Sequence, residues 1–128
     1  MKRFRKGAVF ILLAAAFYWL LVRSPYPTAE AALEAFYGGE PRPECMQAQP
    51  LLQHGSGVVP LIIRDLLNKA MPRRRYAISF LGQGNYADAL PALEKIVLDD
   101  TELYYLKTDA LEAIYHISPH MRRSWLRF

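Results

Sequence analysis

The segment Tyr76–Ala87 reads YAISFLGQGNYA and contains Gly82-x-Gly84-x-x-Ala87, with acids following at Asp99 and Asp100. Glycines at that spacing let a backbone approach a pyrophosphate, and a later acid can take a ribose hydroxyl. The same chemistry demands a strand before the glycines, a helix opening inside them and a second parallel strand some thirty residues on. Only about forty residues follow the loop, and Pro72-Arg73-Arg74-Arg75 precede the apolar run. Pro91 suits a helix that starts near Asp88 rather than at Gly84. The stretch is therefore expected to be the end of one helix, terminated by Gly82, then a turn and the start of the next helix.

Other reactive residue types are equally sparse. His54-Gly55-Ser56-Gly57 places a base near a hydroxyl, but a nucleophile elbow needs Gly-x-Ser-x-Gly between strand and helix. Gly55 past a helix end, with Ser56 in the turn, explains it better. His116 and His120 stand four apart, a spacing that suits one metal on an unbroken helix, yet Pro119 lies between them. The single cysteine, Cys45, excludes an intrachain disulfide and a thiolate zinc site. The expectation is no catalytic residue, no metal and no cofactor. Two clusters of charge remain: Arg73-Arg74-Arg75, and the acids Glu94, Asp99, Asp100 and Glu102.

What would position any of these begins with the first 23 residues. Lys2, Arg3, Arg5 and Lys6 precede Gly7–Val22 (GAVFILLAAAFYWLLV), which carries no charge, and Arg23 follows. The small residues Ala14-Ala15-Ala16 sit mid-run, where a cleaved signal would have them at the end. An uncleaved anchor is expected, with the N-terminus cytoplasmic and the body exported, as in a bacterial inner-membrane protein. Sixteen residues give about 24 Å of helix against a ~30 Å core, so Tyr18, Trp19 and Arg23 would have to work at the interface. All twelve acids follow this run, against eleven of the sixteen basic residues, so the body's net charge is about −1. A near-neutral body offers no electrostatic footprint for nucleic acid.

Ser24-Pro25-Tyr26-Pro27 reads as a stiff stalk. Thr28–Tyr37 reads as a linker helix stopped by Gly38-Gly39. Beyond about Glu44 helical patterns recur: Glu44–His54, divided or kinked by Pro50, then Val58–Lys69, Pro72–Leu81, Asp88–Leu98 and Thr101–Ile117. In the last, Leu103, Leu106, Ala110, Ile114 and Ile117 lie along one face. Ser118-Pro119 can open a final short helix. Val59-Pro60-Leu61-Ile62 repeats as Leu90-Pro91-Ala92-Leu93 at an offset of 31. Arg74, Ala77, Ile78 and Leu81 repeat as Lys107, Ala110, Leu111 and Ile114 at an offset of 33. Two helices per 31 to 33 residues indicate an α-solenoid.

At these residues the chain resembles the HEAT repeat, in the short bacterial variety named after phycobilisome lyases. The carrying pattern is Arg74, Ala77, Phe80-Leu81, Gly82, then Leu90-Pro91-Ala92-Leu93, Asp99-Asp100, and Lys107, Ala110, Leu111, Ile114. It covers Pro72–Ile117 well, Val58–Lys69 moderately and the region before Gly55 weakly. The resemblance implies stacked helix pairs and a protein-binding surface, and it implies no lyase activity. It also implies that basic residues such as Arg73–Arg75 pair with acids of an adjacent repeat, here Asp65, Asp99 or Asp100. The alternative is an exposed basic grip on an acidic partner or lipid headgroups.

The expected architecture is all-α: a short α-solenoid of HEAT-like helix pairs after an N-terminal transmembrane helix. Residues 1–23 form the anchor, 24–43 the stalk and linker helix, and 44–128 the repeat domain. The expected function is a non-enzymatic scaffold that docks a partner protein at the membrane. The alternatives are a lyase-type accessory binding a small apolar ligand, and a structural membrane protein that self-associates. Candidate partner-binding residues are Arg73, Arg74, Arg75, Tyr86, Tyr104, Tyr105, Trp125 and Phe128. The last two belong to an Arg- and aromatic-rich tail that serves equally well as a solenoid cap.

Overall fold

The computed structural model describes residues 2–121, with side chains from Gly7 onward. Among these residues the chain is all-helical, with no strand. The helices are α1 (Lys2–Val22), α2 (Ala29–Gly38), α3 (Gln49–His54), α4 (Val59–Leu66), α5 (Arg74–Gln83), α6 (Leu90–Leu98) and α7 (Tyr104–Ile117). Single 3-10 turns lie at Glu44–Met46, Ser56–Val58, Ala87–Ala89 and Pro119–Met121. Tyr76–Leu81 is helical, so the strand that a dinucleotide fingerprint requires is not there.

The proline register is visible as local structure. Pro60 and Pro91 each sit in the first two positions of their helix, where a missing N–H leaves no bond unmade. A 3-10 turn precedes each of these helices, so the offset of 31 corresponds to one repeated turn–helix unit. Pro50 plays the same part for α3, which divides the expected Glu44–His54 helix into a 3-10 turn and a short helix. The other register matches in burial at two of its four pairs: Ala77 with Ala110 and Leu81 with Ile114 are fully buried, whereas buried Arg74 and Ile78 correspond to half-buried Lys107 and Leu111. α7 is the centre of the packing, lying along both α5 and α6, while α2 lies on α3 and α4, and α4 meets α5.

Three boundaries differ from the sequence-based expectation. α7 begins at Tyr104 and not at Thr101, because Asp99 Oδ1 accepts both the Thr101 amide at 2.8 Å and its hydroxyl at 2.6 Å. Such side-chain-to-backbone bonding offers the chain a turn in place of a helix. Gly82 does not end α5; it lies inside the helix, which is closed by Gly84 with its N–H bonded to the Phe80 carbonyl at 3.0 Å. Residues 24–43 are not a separate stalk and linker. Ala32, Leu33 and Phe36 of α2 are buried in the same core as α4 to α7, and Tyr26 packs on it too. His54 Nδ1 lies 3.3 Å from the Tyr26 carbonyl and holds the stalk to the body.

Gly82 earns its place by contact rather than by turning. A Cβ built there would lie 2.8 Å from both the Cα and the Cβ of Ala113 on α7. Gly82→Ala gains about 1 kcal/mol of helix propensity, but overpacking against backbone costs about 1–3 kcal/mol. The expected net result is destabilisation of up to about 2 kcal/mol, read by thermal unfolding. A variant stabilised by the helix-propensity gain would show that α5 and α7 are not this close.

Helix α1 stands apart in chemistry. From Val9 to Val22 its large apolar side chains are all at least 54% exposed. Among the described residues no helix is long and apolar enough to cross a membrane. The apolar run with described side chains starts at Gly7 and spans about 24 Å, so a transmembrane helix finds no support in its length.

Candidate functional site

A groove of about 660 Å³ lies between the segment Glu44–Leu52 and the paired helices α5 and α7. α7 contributes Asp109, Glu112, Ala113 and His116, which at spacings of three, one and three residues share one helical face. α5 contributes Arg75, Tyr76, Ser79, Gly82 and Gln83. Ala48, Leu52, Tyr76 and Ala113 supply apolar surface, and Glu44, Asp109 and Glu112 supply three carboxylates.

Arg75 bridges the two walls. Its Nε lies 2.9 Å from Asp109 Oδ2, and Nη1 lies 3.6 Å from Glu44 Oε1. His116 Nε2 lies 3.8 Å from Glu112 Oε1, one turn along α7. These groups are solvated, so such pairs contribute at most about 1 kcal/mol each and can exchange partners. The Cys45 thiol is exposed within the lining. The arrangement suits recognition of a charged, partly apolar chain. Among the described residues no three His, Cys, Asp or Glu side chains gather to hold a metal ion.

The expected arginine cluster divides into three different roles. Arg73 takes a left-handed backbone (φ 53) and donates to the Phe36 and Gly39 carbonyls at 2.8 and 3.0 Å. It therefore holds the C-terminal end of α2, where a cation is favoured by the exposed carbonyls. Arg74 is buried, and it pairs with Glu102 and the Leu66 carbonyl. Only Arg75 reaches the groove wall. None of the three pairs with Asp65, Asp99 or Asp100 as expected. Asp65 instead accepts from Arg64 at 2.7 Å and from the Tyr37 hydroxyl at 2.9 Å. The Arg64 guanidinium holds the Asp65 carboxyl below its usual range, while burial and then the Asp65 bond push the Tyr37 phenol upward. Asp99 is taken by Thr101 and Lys69, and those donors hold its carboxyl well below the usual carboxylate range.

The remaining candidates do not converge. Tyr86 is half-buried with its ring 5.3 Å from that of Phe80, which makes it a packing residue. Tyr104 is 85% exposed at the start of α7, beside the exposed Leu103. Tyr105 shares a shallow hollow with Arg73, Arg74 and Arg75, of about 500 Å³. The donors that Arg73 and Arg74 use inward make it a poor basic grip. Trp125 and Phe128 lie outside the described residues. Reading along the chain missed Glu44, Leu52, Asp109 and Glu112, and weighed Cys45 only as a thiol and His116 only as a metal ligand. The one available signal was the polar, small-residue face of α7 opposite its apolar stripe. The other wall comes from a segment some sixty residues earlier, which periodicity cannot place.

No family model, curated protein or solved structure matches this chain.

Proposed function

We propose that the chain is a non-catalytic docking scaffold, held at a membrane by α1 and offering its helical body to a partner protein. The observation that carries this reading is the exposed α1, whose sixteen residues Gly7–Val22 are apolar on every side. A helix of that kind is a bilayer segment or a core helix, and this one is covered by no part of the body. Exposed apolar surface of such extent marks an interaction with lipid or protein. Trp19 and Arg23 flank its C-terminal end, with the guanidinium 5.1 Å over the ring, a pairing at home in the headgroup layer. Four basic residues precede the run, and together these ends extend its reach toward the ~30 Å of a bilayer core. The charge bias supports a cytoplasmic N-terminus with the body outside, the orientation of an exported domain on an inner-membrane anchor.

The body is read as a short HEAT-like solenoid, supported by the repeated proline turn and by the equivalent buried positions of α5 and α7. Its docking surface is the groove on α7. The charged lining favours a protein chain over a small apolar ligand. Alkaline carbonate extraction of the full chain tests the anchor: it is expected to stay with the membrane, and release would defeat the reading. An alkaline phosphatase fusion after Phe128 is expected to be active if the body is exported. Crosslinking in native membranes is expected to give heterotypic adducts, whereas adducts with copies of itself alone would favour self-association.

A further inference from the structure

We propose that the groove on α7 takes an amphipathic helix of a partner protein, one whose apolar stripe is flanked by lysines or arginines. The proposal rests on reading this groove as a docking surface, and it names the chemistry of what docks. Three carboxylates in the lining, Glu44, Asp109 and Glu112, stand against one guanidinium, Arg75, which leaves a net charge of −2 with His116 neutral. That imbalance is within a partner's reach. Asp109 is half-buried and engaged by Arg75 at 2.9 Å. The Glu44 and Glu112 side chains are instead 73% and 71% exposed, and their contacts to Arg75 and His116 are long, at 3.6 and 3.8 Å. These two solvated carboxylates can accept a partner's cations from opposite walls, one on the Glu44–Leu52 segment and one on α7.

Burial orders the rest of the lining. Gly82 and Ala113 are buried, and Ala48 and Ser79 are half-buried, so the deep part carries only small side chains. The exposed Leu52 and half-buried Tyr76 supply larger apolar surface in the same groove. A floor of small side chains leaves room for large apolar ones from a partner. Backbone chemistry then decides between a helix and an extended chain. The lining comes mainly from helical segments, and among the described residues there is no strand edge. An extended peptide would find no ladder to join, whereas a helix arrives with its own backbone bonds made. From Arg75 to Gln83 the α5 wall is about 12 Å long, which fits a little over two helical turns. The partner's stripe is therefore expected to present about three apolar side chains, spaced three or four residues apart.

Cys45 lies exposed in this lining and is the sole cysteine, so its reaction with a small maleimide reports whether the groove is filled. The full chain is held in nanodiscs of zwitterionic lipid. The probe is a synthetic peptide of about 18 residues, long enough to hold a helix, with a leucine stripe flanked by lysines. It is expected to slow the maleimide reaction saturably, with a midpoint on the order of 10 μM. In the double variant Glu44→Gln, Glu112→Gln the midpoint is expected to rise about tenfold, as for two solvated ion pairs lost. Ser79→Trp, which fills the floor, is expected to abolish protection. Both variants change side chains outside the core, and an unchanged melting temperature checks that the body is intact. A probe with glutamates in place of the lysines, and one with its leucines scattered around the helix, are expected to protect poorly. No protection by the lysine probe overturns the proposal, as does an unchanged midpoint in the double variant or equal protection by either control peptide. Protection that grows with protein concentration in the absence of probe overturns it too, since the occupant would then be another copy. The scaffold reading stands or falls separately, on heterotypic crosslinks in native membranes. Crosslinks without protection by the lysine probe sink only the partner's chemistry, and protection without crosslinks sinks only the scaffold.

Discussion

Replacing Arg74 by alanine is expected to destabilise the body by about 3–5 kcal/mol, and to lower its melting temperature by roughly 10 °C or more. The Arg74 side chain is 6% exposed and that of Glu102 3%, and Nη1 lies 2.6 Å from Oε2. Its Nε also donates to the Leu66 carbonyl at 2.7 Å. That carbonyl belongs to the last turn of α4, where no helical N–H follows to satisfy it. Truncation therefore leaves a carboxylate out of water without its cation and a helix end without its donor. The penalty arises from what is left behind, since a buried pair is often no better than apolar residues of the same volume. For that reason the double variant Arg74→Met, Glu102→Leu is expected to recover most of the loss. Arg74→Lys is expected to recover little, because an ammonium cannot reach both acceptors in the planar geometry of the fork. Chemical denaturation of the full chain in detergent measures all four proteins. If Arg74→Ala lay within about 0.5 kcal/mol of the parent, the pair would have to be solvated and the burial of Arg74 would be wrong. The same measurement separates two roles that the sequence left open for this arginine. A partner-gripping residue would weaken binding and spare stability, whereas Arg74 is expected to do the reverse.

The sequence could be read wherever the physics is local. Pro50, Pro60 and Pro91 mark helix starts because a residue without an N–H is tolerated only where no helical bond is due. Of the stripe Leu103, Leu106, Ala110, Ile114 and Ile117, the middle three form the buried face of α7 because helical spacing decides which side chains share a face. Leu103 stands ahead of the first helical residue and is exposed. Reading failed where a residue answers to something distant. Gly82 has the composition of a helix stop, yet it is set by Ala113, thirty-one positions later on another helix. The arginines at 73, 74 and 75 look like one basic patch. Backbone geometry sends them to Phe36 and Gly39, to Leu66 and Glu102, and to Asp109 and Glu44. The candidate groove was invisible for the same reason, since its two walls meet only after the chain has folded back on α2 and α3. Thr101 lies between these cases: its loss from α7 was written locally in Asp99-x-Thr101, but as a turn that competes with helix in a stretch suited to both.

Replacing Phe36 by alanine is the second large effect, expected to cost about 3–5 kcal/mol and to act on the whole body in one transition. The ring is fully buried and 5.6 Å from that of Tyr37, in a core shared with α4 to α7. Its own carbonyl receives the Arg73 guanidinium, and the next residue's hydroxyl bonds to Asp65 on α4. The ring, the backbone and the neighbouring side chain thus all tie α2 to later parts of the chain. Were α2 a linker helix, as its composition and the prolines after it suggest, the same change would move stability by less than about 0.5 kcal/mol. A second, low-temperature transition confined to α2 would also argue for a linker, so circular dichroism and Trp fluorescence should be followed together through the denaturant series. The outcome bears on function as much as on folding. With α2 in the core, only Arg23–Thr28 separates the apolar helix from the packed body, and Tyr26 within that stretch is itself held on the core and bonded toward His54. If α1 anchors the chain as proposed, a body joined to it in this way would not swing freely from the membrane. Its groove would face a restricted set of directions, which would favour a partner at the same membrane surface.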